Sequence, residues 1–201
     1  FHYKKNIVIK AGNSGTFARL LLGLLVKSSY PVKIIGDKSL SRRDFQRVTS
    51  PLKQFGARFV SKNESNLPLT ISGSEYLRPI NYFEKKGSAQ CKSSVIFAGL
   101  NTPGKTIIKA KKSRDHTELF LRYLNIPLKI IKGKQFDKIE LTGGNQFKSF
   151  NYIIPGDMSS SAFFIVLTLL LKNSKLKIKN VNINPTRVGF IKIINKMGAK
   201  V

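Results

Sequence analysis

Asn13-Ser14-Gly15-Thr16-Phe17-Ala18-Arg19-Leu20-Leu21-Leu22 is the stretch from which the fold can be read. A serine ahead of a small residue and an apolar run is a helix start, because the hydroxyl can accept from an otherwise unpaired amide of the first turn. The same kind of start recurs at Gly87-Ser88-Ala89-Gln90 and at Met158-Ser159-Ser160-Ser161, about 70 to 75 residues apart. Each start feeds an apolar run (Leu20 to Val26, Val95 to Leu100, Ala162 to Leu171), and each run leads to a predicted strand with alternating lysines. The strands are Val32-Lys33-Ile34-Ile35, Lys105-Thr106-Ile107-Ile108-Lys109 and Leu176-Lys177-Ile178-Lys179. A turn with an arginine follows each (Arg43, Arg114, Arg187), then a second helix closing in Phe55-Gly56-Ala57-Arg58, Leu124-Asn125-Ile126-Pro127 or Met197-Gly198-Ala199-Lys200. A period this long is a whole βαβα unit stacked beside copies of itself.

Working outward, the patterns set the layers. The first helix of each unit is apolar almost all round, as in Phe17, Ala18, Leu20, Leu21, Leu22, Leu24, Leu25 and Val26, so protein is expected on every side of it. The strands alternate, with one face apolar and the other charged, which suits a sheet with one side on a core and one in water. The fold class is therefore α/β, with helices inside and sheets outside, the inverse of a (β/α)₈ barrel. Proline and glycine in Tyr152-Ile153-Ile154-Pro155-Gly156-Asp157 interrupt two strongly patterned segments and place a domain boundary there. Residues 1–154 would hold about two repeats of a first domain and 155–201 would open a second. The ends, at Phe1-His2-Tyr3-Lys4-Lys5 and Lys200-Val201, read as those of an internal fragment.

Charge and composition narrow the chemistry. The net charge of +26 invites a nucleic-acid reading, because dense lysine and arginine neutralise phosphates without regard to sequence. The lysines are spread through every strand and loop without the aromatic interleaving of a single-strand platform, so anionic small molecules fit this field better. A single cysteine, Cys91, excludes an internal disulfide, and with only His2 and His116 as imidazoles no His/Cys metal cluster can form. Cys91, among apolar residues, reads as a small buried hydrophobe, and a reducing cytoplasmic setting is expected. Ala162 to Leu171 is about half of the roughly 20 residues a membrane span needs. A buried helix that begins with Ser, Gly or Thr carries free amides and a positive dipole end, so an anion is a natural partner there, with ordinary capping by Ser14, Ser88 or Ser159 as the alternative.

Five strings sharpen this reading: Gly12-Asn13-Ser14-Gly15-Thr16-Phe17-Ala18-Arg19-Leu20-Leu21, Gly36-Asp37-Lys38-Ser39-Leu40-Ser41-Arg42-Arg43, Leu67-Pro68-Leu69, Ser88-Ala89-Gln90-Cys91-Lys92-Ser93 and Ser113-Arg114-Asp115-His116-Thr117-Glu118. In this order, and with Asn184-Pro185-Thr186-Arg187 and Met197-Gly198-Ala199 beyond them, they resemble the 3-phosphoshikimate 1-carboxyvinyltransferase (EPSP synthase) family. The resemblance implies two domains of three repeats each, an inside-out α/β barrel, and transfer of the enolpyruvyl group of phosphoenolpyruvate to the 5-hydroxyl of shikimate 3-phosphate with release of phosphate. It implies no cofactor, and a monomer at full length. By the same resemblance Ser88, Ala89, Gln90 and Ser113 would hold shikimate 3-phosphate, and Gly15, Arg43 and Gln90 would hold phosphoenolpyruvate. Asn13, Thr16, Arg19 and Asp157 would support them, with Arg19 and Asp157 approaching when the domains close. No proton-transfer residue is assignable, so the chain alone is expected not to turn over.

Each position has a plainer alternative. Arg43 could be a solvated turn arginine, Ser113 a distant helix cap, and His116 a residue of a helix start. Two departures from the family pattern stand out. Asp44-Phe45 replaces the usual Pro-Met after the arginine, so Asp44 could draw Arg43 aside, and Phe17 could narrow the phosphoenolpyruvate pocket or fill core. Two rival functions are a UDP-N-acetylglucosamine enolpyruvyl transferase, of the same inside-out fold, and a non-catalytic basic module for nucleic acid.

Overall fold

In the computed structural model, residues 7–61, 65–144 and 148–201 are described; His2 lies outside them. The chain separates into two compact units, Phe1–Ser113 with Thr117–Gln146, and Arg114–His116 with Phe147–Val201.

The first unit holds two copies of one motif. Strand β1 (Ile7–Lys10) crosses over through α1 (Gly15–Leu24) to the parallel strand β2 (Val32–Ile35); α2 (Gln46–Phe55) follows, then the hairpin β3 (Arg58–Ser61) and β4 (Leu69–Ser72). The second copy runs β5 (Asn81–Glu84), α3 (Ala89–Leu100), β6 (Gly104–Lys111), α4 (His116–Tyr123), β7 (Leu128–Ile131) and β8 (Phe136–Gly143). Its sheet order, β5-β6-β8-β7, reproduces the β1-β2-β4-β3 order of the first. The repeat is thus one hairpin longer than the βαβα unit read from the sequence. The extra strands are mostly four residues long with mixed polarity, too short for a period-2 signal to emerge.

Alternation does what the pattern requires. In β2, Val32 and Ile34 are buried and Lys33 is exposed; in β6, Thr106, Ile108 and Ala110 face in while Lys105, Lys109 and Lys111 face out. Helices α1, α2 and α3 pack on one another behind these faces, and α3 also lies on β5, β6 and β8. Phe45, Phe55, Leu22, Ile96, Ile108 and Leu141 are fully buried in the resulting core. Helices α1 and α3 approach so closely that a Cβ on Gly23 would stand 2.1 Å from the Ser94 carbonyl oxygen. Helix α2 ends on Gly56 at φ 116°, a left-handed turn that glycine adopts without penalty.

Helix enclosure differs from the expectation. Only α3 is surrounded, with Cys91 to Ile96 all buried. In α1, Phe17 and Leu24 are 46% and 50% exposed, although Ala18 and Leu22 on the same helix are fully buried.

The second unit consists of α5 (Met158–Leu170) and α6 (Gly189–Lys196) with connecting segments. Helix α5 is apolar, as read, but Phe163 and Leu170 are 79% and 78% exposed. Its inner side faces a cleft of about 960 Å³ shared with Ile178, Val181 and Ile191. Among the described residues the predicted strand Leu176-Lys177-Ile178-Lys179 forms no ladder, and the pairing near it is the isolated bridge Gly156 to Val181. A strand exists only through its neighbour's hydrogen bonds, and alternation alone cannot supply one.

Candidate active site

The parallel pairs β1/β2 and β5/β6 direct the chain so that in each repeat the turn into the first helix and the turn after the second strand leave the same edge of the sheet. In the first repeat these turns carry Asn13-Ser14-Gly15 and residues 36–45; in the second, Glu84 to Ser88 and Lys112-Ser113.

Ser14 caps α1, its Oγ accepting from Phe17 N at 3.1 Å. Ser88 caps α3 in the same way, accepting from Cys91 N at 3.3 Å. The third start differs: Asp157, not Ser159, is the cap of α5, with Oδ2 accepting from Ser160 N at 3.2 Å. Carboxylate and hydroxyl both serve this position, and the carboxylate stands two residues earlier, where the backbone is still extended, while Ser159 is already inside the helix. Asp157 Oδ1 also pairs with Arg187 Nη2, and this pairing holds the Asp157 carboxyl below its usual range.

Around Gly15 the first repeat assembles a cationic cluster. A Cβ there would lie 2.8 Å from Arg19 Nη1 and 3.2 Å from Arg43 Nη1, so a side chain at this position would have to push the ends of both guanidiniums aside from the backbone they now cover. The Gly15 amide donates to the Asn13 carbonyl at 3.0 Å. Arg43 Nη2 donates to Asn13 Oδ1 at 3.2 Å, and Asn13 Nδ2 donates in turn to Asp37 Oδ2 at 2.8 Å. Arg43 is therefore an anchored side chain rather than a free turn arginine. Asp44 does not divert it, for its Oδ1 accepts from Gln46 N at 2.7 Å and so opens α2. Phe45 is fully buried with the Arg19 guanidinium 4.8 Å above its ring, a cation–π placement. Phe17, largely exposed, does not fill core.

Gln90 joins the two repeats. Its Oε1 accepts from Arg19 Nη1 at 2.8 Å and its Nε2 donates to Thr16 Oγ1 at 2.6 Å. Burial lowers the Arg19 pKa; the Cys91 thiol opposes this, while Arg43 and Arg47 add to it. Asn13, Gly15, Thr16, Arg19, Arg43 and Gln90 thus form one connected group. Ser88 and Ala89 open the helix that carries Gln90. Ser113 follows β6, and its neighbour Lys112 carries the carbonyl that would stand 3.4 Å from a Cβ on Gly87. The Ser113 Oγ is shielded from solvent and has no hydrogen-bond partner among the described residues. It caps no helix. Such a hydroxyl is costly to leave unpaired, by about 1–3 kcal/mol.

A matching family model adds the decisive comparison: the description EPSP synthase (3-phosphoshikimate 1-carboxyvinyltransferase) covers residues 1–201. The chain belongs to the EPSP synthase family. A 3-phosphoshikimate 1-carboxyvinyltransferase of Streptococcus mutans is 44% identical over 192 residues, 94% of this chain and 44% of the relative. One of Caldicellulosiruptor saccharolyticus is 43% identical over 196 residues, 96% of this chain and 45% of the relative. The solved EPSP synthase of Acinetobacter baumannii superposes with a TM-score of 0.82 at 37% identity, covering 96% of this chain and 43% of that one. The chain spans less than half the length of the relatives it matches.

Sequence reading singled out the serines, Gln90 and the arginines that the structure gathers here, but not three charged groups close to them. Glu84, at the end of β5, is 3% exposed and pairs with Arg47 at 3.1 Å. Lys92 and Glu118 form a buried pair at 2.5 Å. Their neighbours Lys85 and Lys86, or Asp115 and His116, made each look like part of a solvated charged stretch. Only for Lys92 was there a signal: a cation four residues from a serine cap in an apolar helix has no exposed face to occupy. Among the described residues no group of three or more His, Cys, Asp or Glu could hold a metal, and no helix is long and apolar enough to cross a membrane.

Proposed function

We propose that this chain supplies the substrate-holding part of an enolpyruvyl transfer from phosphoenolpyruvate to the 5-hydroxyl of shikimate 3-phosphate. The observation that carries the reading is the bridge Thr16–Gln90–Arg19, which fixes two helix N-termini side by side with Gly15 and Arg43 adjoining. Two anions held at reacting distance convert an encounter of two molecules into a reaction within one complex, and this lowers the barrier by several kcal/mol.

In the reaction the 5-hydroxyl gives its proton to a base as its oxygen bonds to C2 of phosphoenolpyruvate, and C3 takes a proton from an acid; the tetrahedral adduct then loses phosphate from C2 and a proton from C3 to restore the double bond. Arg43 and Arg19 would balance the charge of phosphoenolpyruvate, the guanidinium of Arg43 forming paired bonds to carboxylate or phosphate. Ser88, Ala89 and Ser113 would receive the phosphate of shikimate 3-phosphate, and Gln90 would touch both substrates. No side chain of the cluster is a suitable acid or base, so proton transfer is assigned to groups beyond this chain. Residues 1–154 would belong to a first domain and 155–201 to a second. The complete protein is proposed to be a cytoplasmic monomer without a cofactor.

Calorimetric titration of the chain with shikimate 3-phosphate and phosphoenolpyruvate tests this. Binding of both is expected, without phosphate release. Arg43→Ala removes one or two charge-assisted bonds of about 1.5–3 kcal/mol each and should weaken phosphoenolpyruvate binding at least about tenfold. Unchanged binding by that variant would show Arg43 to be misassigned, and phosphate release by the chain alone would refute the assignment of proton transfer elsewhere.

A further inference from the structure

We propose that Glu84 is a positioning residue for the turn that presents Ser88, Ala89 and Gln90, a role that rests on reading those residues as the shikimate 3-phosphate site. Its carboxylate is buried, and both oxygens are occupied. Oε2 accepts from Gly87 N at 2.5 Å and Ser88 N at 2.9 Å; Oε1 accepts from Lys86 N at 3.2 Å and from Arg47 Nη2 at 3.1 Å.

Three successive amides aimed at one point form a concavity suited to an anion. Here the chain fills it with its own carboxylate. Residues 86–88 are thereby wrapped around Glu84, with Gly87 at φ 74°. Ser88 leaves this wrap as the cap of α3, so the direction of the first α3 amides and of Gln90 is set by the carboxylate. The same wrap lies against Lys112, next to Ser113, and so fixes the spacing of the two turns of the proposed site. Arg47, in the first turn of α2, ties that helix to the arrangement.

A buried carboxylate with four donors is stable as a set, yet the loss of one partner leaves a desolvated group behind. The turn therefore has a single well-defined geometry rather than a range of them. Lys85 and Lys86 follow Glu84 in the chain; Lys86 contributes its amide, and the Lys85 ammonium lies over the Phe83 ring.

Glu84→Gln keeps the shape, removes the charge and puts an NH₂ group among donors. In this variant shikimate 3-phosphate should bind about tenfold or more weakly, and the Gly87 and Ser88 amides should exchange with solvent at least about tenfold faster. Phosphoenolpyruvate affinity should fall clearly less, by about threefold at most, because Gly15 and Arg43 are untouched and only the contact with Gln90 is disturbed. Unchanged shikimate 3-phosphate binding, unchanged exchange at both amides, or an equal loss for both ligands would each overturn the proposal, the last by marking general loosening. Should Glu84→Gln fail to fold, Arg47→Ala removes only the half-exposed donor and should cost about threefold in shikimate 3-phosphate affinity; no change would overturn the proposal. If the parent chain binds no shikimate 3-phosphate, the functional reading fails, and the exchange rates alone decide whether Glu84 holds the turn.

Discussion

Helix α3 has Val95, Ile96, Ala98 and Leu100 enclosed by protein, whereas α5, of nearly equal length and without a charged residue, leaves Phe163, Phe164, Leu167 and Leu170 in solvent. Helix α3 starts from the single cap Ser88 and α5 from a serine-rich turn, and both read from sequence as helices that require enclosure. An apolar circumference states what a helix needs, while its neighbours decide whether the need is met. Around α3 those neighbours are α1, α2 and the sheet of β5, β6 and β8. Enclosure even extends to polar groups, since Lys92 meets Glu118 and Ser93 meets Thr117 at 2.6 Å.

The sharpest way to break the contrast is a pair of truncations. Ile96→Ala should destabilise the first unit by about 2–5 kcal/mol, and Phe163→Ala should change stability by less than about 0.5 kcal/mol, both read from urea unfolding. A cost at Phe163 comparable with that at Ile96 would mean that α5 is covered in solution.

Glycines offer a second contrast. Gly23→Ala drives a methyl group into the Ser94 carbonyl and should cost about 1–3 kcal/mol, whereas Gly189→Ala, with nothing within 4 Å, should be neutral or stabilise by about 0.4–1 kcal/mol. Equal effects in thermal unfolding would show that α1 and α3 do not touch at Gly23.

Removing the caps, by Ser88→Ala or Asp157→Ala, should cost about 1 kcal/mol each. The Asp157 change should also release Arg187, visible as loss of protection of its guanidinium protons by NMR. An unaffected Arg187 would separate the cap from the ion pair.

The smallest effects are those of pH. Lys105 and Lys138 hold the Glu140 carboxyl down to about 2, and Arg187 lowers that of Asp157. Because both are depressed on folding, their stabilisation is present above the ordinary carboxylate range and is lost as pH falls through the folded values, for Glu140 near 2. Carboxyl-carbon NMR should give a Glu140 midpoint near 2 that rises with added salt. A midpoint in the ordinary range would mean that neither lysine pair forms.

Much of this was legible beforehand. The caps Ser14 and Ser88, the strands at Val32 and Lys105, and the left-handed helix ends at Gly56, Asn125 and Gly198 all follow from local chemistry. What escaped depends on distance in sequence. The Thr16–Gln90–Arg19 bridge joins residues more than 70 positions apart, and no periodicity announces such a contact. Leu176 to Lys179 alternates as a strand should, yet pairing belongs to two segments and sequence shows one. Glu84, followed by two lysines, resembles surface charge until the wrap of amides around it is seen.

Gln90 uses both ends of its amide on residues of the other repeat, and this bears on how such a chain can change over time. A gene rearrangement that exchanged one repeat for its counterpart in a distant relative would bring a new residue 90 to an old Thr16 and Arg19, or the reverse. Even if each repeat were sound alone, the hybrid would inherit an unmatched donor or acceptor at the seam. Variation at one of positions 16, 19 and 90 is therefore expected to be accompanied by variation at the others.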